Sequence, residues 1–199
     1  MPVSHGLEAL VGNSGPRSGG LHISSIYNSL YQDLEPDRYK RGSTPDPVLL
    51  EMGLSCEQWM EDGLKNRLMS GWERPGELEG EIDGHPVLYN PDLLHINGEL
   101  RLGEIKYTQL SSKDMPTEAA NYVPPKFEKY VCQMQAYGWL MQTSYARLIV
   151  FFANGNYNRV RGGDPQLRAW DFEFMPRELE DNWAALVSHG RRKKWQFDE

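Results

Sequence analysis

Three charged side chains within residues 90–106 have the types and spacing to act on a phosphoryl group. The stretch reads Asn-Pro-Asp-Leu-Leu-His-Ile-Asn-Gly-Glu-Leu-Arg-Leu-Gly-Glu-Ile-Lys. Asp92 follows Pro91, a turn signal stands at Asn97-Gly98, and Glu104 and Lys106 flank Ile105. Strands normally exclude charge from buried positions, so charges here need an explanation. Two carboxylates on one face repel unless a cation lies between them. Ligands that are all oxygen suit a hard divalent ion such as magnesium or manganese. Such an ion acidifies bound water and stabilises charge on a transferring phosphoryl group. A neighbouring ammonium orients the water or stabilises the developing charge. The alternative is a solvated hairpin bearing ordinary surface charge.

The hairpin that carries these residues decides whether they meet. A two-residue loop at Asn97-Gly98 pairs Ile96 with Glu99 and sends Asp92 and Glu104 to opposite faces. A three-residue loop, with Gly98 left-handed, pairs His95 with Glu99 and sets Asp92 opposite Leu102. Asp92, Glu104 and Lys106 then share a face. The three-residue turn, or a bulge or bend of the same parity, is the expectation.

Other elements must hold this ribbon. Residues 23–34 carry apolar side chains at helical spacing, Ile23, Ile26, Tyr27, Leu30, Tyr31 and Leu34, with Ser24 and Ser25 as candidate caps. A second helix is expected over 48–69, opened by Asp46 and Pro47. Leu50, Leu54, Leu64 and Leu68 form its apolar stripe, and Glu57 and Glu61 fall inside it, about 20° either side of its centre at 100° per residue. A buried carboxylate demands a partner, so Glu57, with Glu61 in reserve, is a further candidate ligand. Strands are expected over 77–82 and 86–89, around Asp83-Gly84. Asp83, His85 and His95 read as turn or surface residues.

A polar segment, 108–125, follows the Glu-Ile-Lys strand and is long for a compact domain, as functional loops often are. A third helix is expected over 126–141, with Phe127, Val131, Met134, Gly138 and Met141 as its core face. Gln133 and Tyr137 lie on one flank of that face, with Lys129 one turn earlier. A buried strand over 147–153, a strand over 169–174 and a helix from Pro176 to about Gly190 complete the order. Basic residues occur at Arg38–Arg41, at Arg159 and Arg161, and at Arg191–Lys194. Each can touch a phosphate or simply face solvent.

The 199 residues contain 39% apolar and 25% charged side chains, an ordinary globular composition. Residues 1–20, rich in Gly and Ser, are expected to form a loose arm, and 21–199 one domain. The net charge of −7 disfavours non-specific coating of nucleic acid but permits a local basic groove. Two cysteines, Cys56 and Cys132, lack metal spacing and exclude a four-cysteine iron–sulfur cluster within the chain. No signal segment or membrane-length apolar run is read, so a cytoplasmic protein is expected.

Pro91-Asp92, a twelve-residue step and Glu104-Ile105-Lys106 resemble the signature of the PD-(D/E)xK nucleases. Gly53-x-x-x-Glu57 resembles the first helix of the RecB-like and phage-type exonucleases of that superfamily, and Gln133-x-x-x-Tyr137 a motif of the same branch. The matches stand in the family's order and cover about 23–153. The resemblance implies an α/β, restriction-endonuclease-like fold with a mixed central sheet flanked by helices. It implies DNA hydrolysis with Mg2+, for which Mn2+ substitutes. Asp92, Glu104 and the carbonyl of Ile105 would hold the ion, and Glu57 would complete the shell. Lys106 would position water, while Gln133 and Tyr137 would orient Lys106 or the DNA. Lys126, Lys129, Arg159 and Arg161 are candidate DNA contacts. A homo-oligomer or a recombination or replication protein is a candidate partner, and a bacterial host cell the setting if the gene is phage-borne. The alternatives are a structure-specific endonuclease and a non-catalytic binding protein that kept the fold.

Overall fold

A computed structural model describes residues 19–39, 47–63, 71–96, 98–108, 123–152 and 166–197, without the side chains of 47–50, 57, 61, 126 and 166. The expected arm, apart from Gly19 and Gly20, lies outside these residues.

Helix α1, Ile23–Leu34, buries Ile23, Ile26, Tyr27 and Leu30, the i, i+3, i+4, i+7 stripe read from the sequence. Ser24 and Ser25 do not cap it. His22 is the N-cap and caps with no side-chain bond, so both serines fall inside the first turn. Helix α2, Pro47–Gly63, starts on a proline, whose fixed φ suits the first helical position. Its expected continuation to 69 lies outside the described residues.

Five strands form the main sheet: β1 Trp72–Glu73, β4 Leu93–His95, β5 Arg101–Thr108, β6 Tyr145–Phe152 and β7 Gln166–Glu173, in the order β1-β4-β5-β6-β7. Strand β1 had no signal in the sequence beyond a single tryptophan. Among the described residues only the β5–β6 pair of this sheet is parallel, and the sheet is therefore mixed. A separate hairpin joins β2, Leu78–Ile82, to β3, His85–Tyr89. Asp83 and Gly84, at φ 52° and 80°, make its two-residue turn, where glycine and aspartate tolerate a positive φ.

A parallel pair needs a long crossover. Here it runs through a 3₁₀ turn at Pro125–Phe127 and helix α3, Glu128–Met141, which ends on Gln142 in the left-handed region at φ 55°. Helix α4, Pro176–Arg192, closes the described chain, with the Glu178 side chain accepting the Met175 N–H at 2.7 Å.

The strand alternation separates two cores. Leu94, Leu102, Leu148, Val150, Phe152 and Trp170 face α1, α3 and α4. Leu93, Ile105 and Ile149 face the other way, against Trp72 and Met60 of α2. Gly103 sits on this second face because a Cβ there would meet Leu93 Cβ and a Trp72 ring carbon at 2.8 Å. Of the stripe expected on α2, Leu54 alone has its side chain among the described residues, and it is not buried. Met60 is buried and Cys56 packs beside it, whereas Leu54 is 37% exposed. Packing against the sheet buries Met60, which the expected stripe did not include. The Glu57 and Glu61 side chains, expected in that stripe, lie outside the described residues.

Candidate active site

The ribbon registers differently from the expectation, yet with the same outcome. Leu93 pairs with Gly103, Leu94 with Leu102 and His95 with Arg101. The connection is therefore 96–100, five residues rather than three. Two added residues leave the parity unchanged, because side chains alternate with a period of two. Continued one step beyond Leu93, the register sets Asp92 across from Glu104.

The side chains meet accordingly. Asp92 Oδ2 accepts the backbone N–H of Ile105 at 2.7 Å and lies 3.4 Å from Lys106 Nζ. The same ammonium lies 2.6 Å from Glu104 Oε1. Glu104 is only 1% exposed, so this carboxylate is buried with its cation. A buried carboxylate without such a partner is strongly disfavoured.

Helix α3 supports the trio from the side. Gln133 and Tyr137, expected on a flank of the core face, are themselves buried in it. Gln133 Nε2 donates to Glu104 Oε1 at 2.8 Å and to the Tyr137 hydroxyl at 3.0 Å. The i, i+4 spacing makes the second contact possible, and the packing of α3 on β5 makes the first. Helix α1 supplies a residue not anticipated as part of the site. The Tyr27 hydroxyl donates to Gln133 Oε1 at 2.7 Å. The available signal was a phenol within an apolar stripe, since a buried tyrosine usually finds a partner for its O–H. Burial, followed by the charges of nearby groups including Glu104, holds the Tyr27 and Tyr137 hydroxyls well above the ordinary phenol range. Both are thus protonated hydrogen-bonding groups rather than bases.

Two ammonium groups share one aromatic ring. Lys106 Nζ lies 5.2 Å from the Tyr130 ring centroid and Lys129 Nζ 5.0 Å from it. Lys129 also lies 5.4 Å from the Tyr39 ring. Burial, and secondarily the charge of Lys106, lowers the Lys129 pKa from its ordinary value. The aromatic faces offset part of that cost. Lys129 thus stands one ring away from the catalytic candidate Lys106.

The remaining candidates separate into two groups. The Glu57, Glu61 and Lys126 side chains, and all of Arg159 and Arg161, lie outside the described residues, as does 109–122 of the long segment. Several other basic groups are committed within the fold. Arg191 makes a two-pronged contact with Asp83 at 2.6 and 2.7 Å, Lys193 lies 2.8 Å from Asp33, and Arg38 lies 2.6 Å from Glu35. Much of the C-terminal basic run therefore fastens α4 to the β2–β3 turn and to α1. Asp83 is a structural turn residue, as read.

No family model and no curated protein matches the sequence. Solved structures do match the fold. The crystal structure of SSO0001 superposes with a TM-score of 0.52 at 15% identity, over 95% of this chain and 81% of that one. An alkaline exonuclease from Laribacter hongkongensis superposes with a TM-score of 0.50 at 14% identity, over 88% of this chain and 89% of that one. This chain shares with these structures its fold, a mixed central sheet flanked by helices. At such identity the likeness concerns the fold alone, and the chemistry must be argued from the residues.

The fold brings Asp92, Glu104 and Lys106 together, and the two carboxylates offer a donor set that suits a divalent cation. Asp92 and Glu104 supply hard oxygen ligands on one face, already gathered around a single positive charge. Among the described residues no group of three or more ligating side chains converges. Magnesium asks for no more, since it commonly keeps several waters and takes one or two carboxylates with substrate phosphates. Among the described residues no helix is long and apolar enough to cross a membrane.

Proposed function

We propose that this chain is a magnesium-dependent deoxyribonuclease that hydrolyses DNA phosphodiester bonds. The observation that carries the reading is the convergence of Asp92 Oδ2 and Glu104 Oε1 on Lys106 Nζ, at 3.4 and 2.6 Å. Solvated hairpin charges have no reason to converge with one of them fully buried.

Asp92, Glu104 and the Ile105 carbonyl would hold the ion, with Glu57 completing the shell. When bound, the ion supplies an acidified water and a counter-charge for the phosphoryl oxygens. Lys106 orients the attacking water from Nζ and stabilises charge at the phosphate. Gln133 fixes the Glu104 carboxylate, and Tyr137 accepts from the same amide. Lys129, with Lys126, Arg159 and Arg161, contacts the DNA backbone. Mn2+ substitutes for Mg2+. Within this class the Gly-x-x-x-Glu and Gln-x-x-x-Tyr features favour a phage-type exonuclease acting on duplex ends in recombination or repair, inside a bacterial cell. The net charge of −7 favours a basic partner that helps retain DNA, and processivity would come from a homo-oligomer or from a recombination or replication protein.

The test is digestion of end-labelled linear duplex and of covalently closed circles with Mg2+, with and without EDTA. The reading expects cleavage from ends, loss of activity with EDTA, and a Lys106→Ala variant slower by about 100-fold or more. Cleavage of closed circles would make the protein an endonuclease. DNA binding without cleavage would make it a binding protein of nuclease fold.

A further inference from the structure

The Gln133 side chain connects the catalytic strand to a helix that contributes no charge. A primary amide is nearly symmetric in shape, so turning it end for end changes little sterically. The exchange of partners would nevertheless be large. Nε2 now donates to Glu104 Oε1 at 2.8 Å and to the Tyr137 hydroxyl at 3.0 Å. A turned amide would set its carbonyl oxygen against the Glu104 carboxylate, acceptor against acceptor. Glu104, which only accepts, therefore selects the observed orientation, and from the opposite side the Tyr27 hydroxyl holds the amide in place by donating to Oε1 at 2.7 Å. Tyr27 is 5% exposed, so its hydroxyl has a buried partner rather than bulk water.

We propose that Tyr27 is a positioning residue of this site. Its hydroxyl anchors the Gln133 amide by its oxygen, which holds Nε2 on Glu104, and through Glu104 it sets where Lys106 stands. The chain of contacts is continuous: Tyr27 to Gln133 at 2.7 Å, Gln133 to Glu104 at 2.8 Å and Glu104 to Lys106 at 2.6 Å. It joins α1, α3 and β5, so three elements distant in sequence agree on the placement of one carboxylate. Residues that orient ligands in this way typically matter by 10- to 100-fold in metal affinity or activity. Tyr27 itself is too buried to touch DNA.

The kinetic consequence rests on the nuclease reading, whereas the contact itself does not. The experiment is therefore run on the full chain with two independent readouts. Tyr27→Phe removes one oxygen and keeps the ring. Tyr31→Phe, on the same helix but outside the chain of contacts, is the comparison. Expected for Tyr27→Phe are shifted and faster-exchanging Gln133 side-chain amide resonances in an 15N-labelled sample. Its kcat on linear duplex with Mg2+ falls about tenfold while KM is unchanged, and Tyr31→Phe matches the parent in both. Unchanged Gln133 resonances, or a shifted amide with parental kcat, overturns the proposal. A parent that does not cut DNA ends the nuclease reading, and Mn2+ affinity by calorimetry then replaces kcat: equal affinity for parent and Tyr27→Phe overturns the positioning role. If Tyr27→Phe fails to fold, the parent decides. A slowly exchanging Tyr27 hydroxyl proton with a cross-relaxation peak to the Gln133 side chain supports the proposal, and its absence overturns it.

Discussion

The Asp92 carboxylate accepts the backbone N–H of Ile105 at 2.7 Å, and the same oxygen lies 3.4 Å from Lys106 Nζ. One oxygen atom thus ties the start of β4 to β5 and contributes negative charge to the candidate metal site. The two roles are separable. In Asp92→Asn the amide oxygen still accepts the Ile105 N–H, but the formal charge is gone. The variant is expected to fold with stability within about 1 kcal/mol of the parent, while Mg2+-dependent cleavage falls by about 100-fold or more. Urea unfolding and single-turnover cleavage check the two halves. A collapse of stability together with activity would make Asp92 chiefly a strand anchor.

Lys129 lies between the Tyr39 and Tyr130 rings, next to Lys106 but not among the carboxylates. Its expected part is to hold the DNA backbone. Lys129→Gln should raise KM several-fold on all sequences alike, leave kcat nearly unchanged and lower the salt dependence of binding by about one counterion. Binding isotherms across a salt series measure this. An unchanged slope would remove Lys129 from the DNA interface.

Gly103 lies where β4 and β5 approach the Trp72 ring. A Cβ at this position meets Leu93 Cβ and the ring at 2.8 Å. Gly103→Ala is expected to cost about 1–3 kcal/mol, the usual range for overpacking a filled core. Because the strain falls on the pair that sets the Asp92 register, cleavage should decline as well. Chemical denaturation together with an activity assay tests both effects.

Arg147 and Asp171 are cross-strand partners on β6 and β7, joined by contacts of 2.6 and 2.8 Å. The Arg147 hydrogen bond holds the Asp171 carboxyl below its ordinary value of 3.8. A carboxyl whose pKa is lowered on folding stabilises the fold above its unfolded pKa and loses that contribution as pH falls through the folded one. Asp171 is largely exposed, so solvent screening limits the pair to about 0.5 kcal/mol. Asp171→Asn should therefore be slightly less stable than the parent at pH 7, and the gap should close below the ordinary carboxylate pKa. Urea midpoints at pH 7 and pH 3 measure it. A gap that persists at pH 3 would assign the effect to packing.

Much of the local structure is legible in neighbouring residues. The apolar period of Ile23, Ile26, Tyr27 and Leu30 is the buried stripe of α1, and Asp83-Gly84 is the turn its dipeptide suggests. The common face of Asp92, Glu104 and Lys106 was readable because alternation depends only on parity. A five-residue connection preserves it as well as the expected three.

What the chain order does not contain is which surfaces press together. On α2 the expected Leu54 is 37% exposed, whereas Met60 and Cys56 pack on the sheet, since the partner surface selects the buried side. Gln133 and Tyr137 looked like a polar flank until α3 docked on β5 and brought the amide to Glu104. Tyr27, separated from Gln133 by 106 positions, entered the site through the packing of α1 on α3. Periodicity and parity are properties of the chain and could be read along it. Partners for buried polar groups are properties of contact between elements, and those were decided when the helices settled on the sheet.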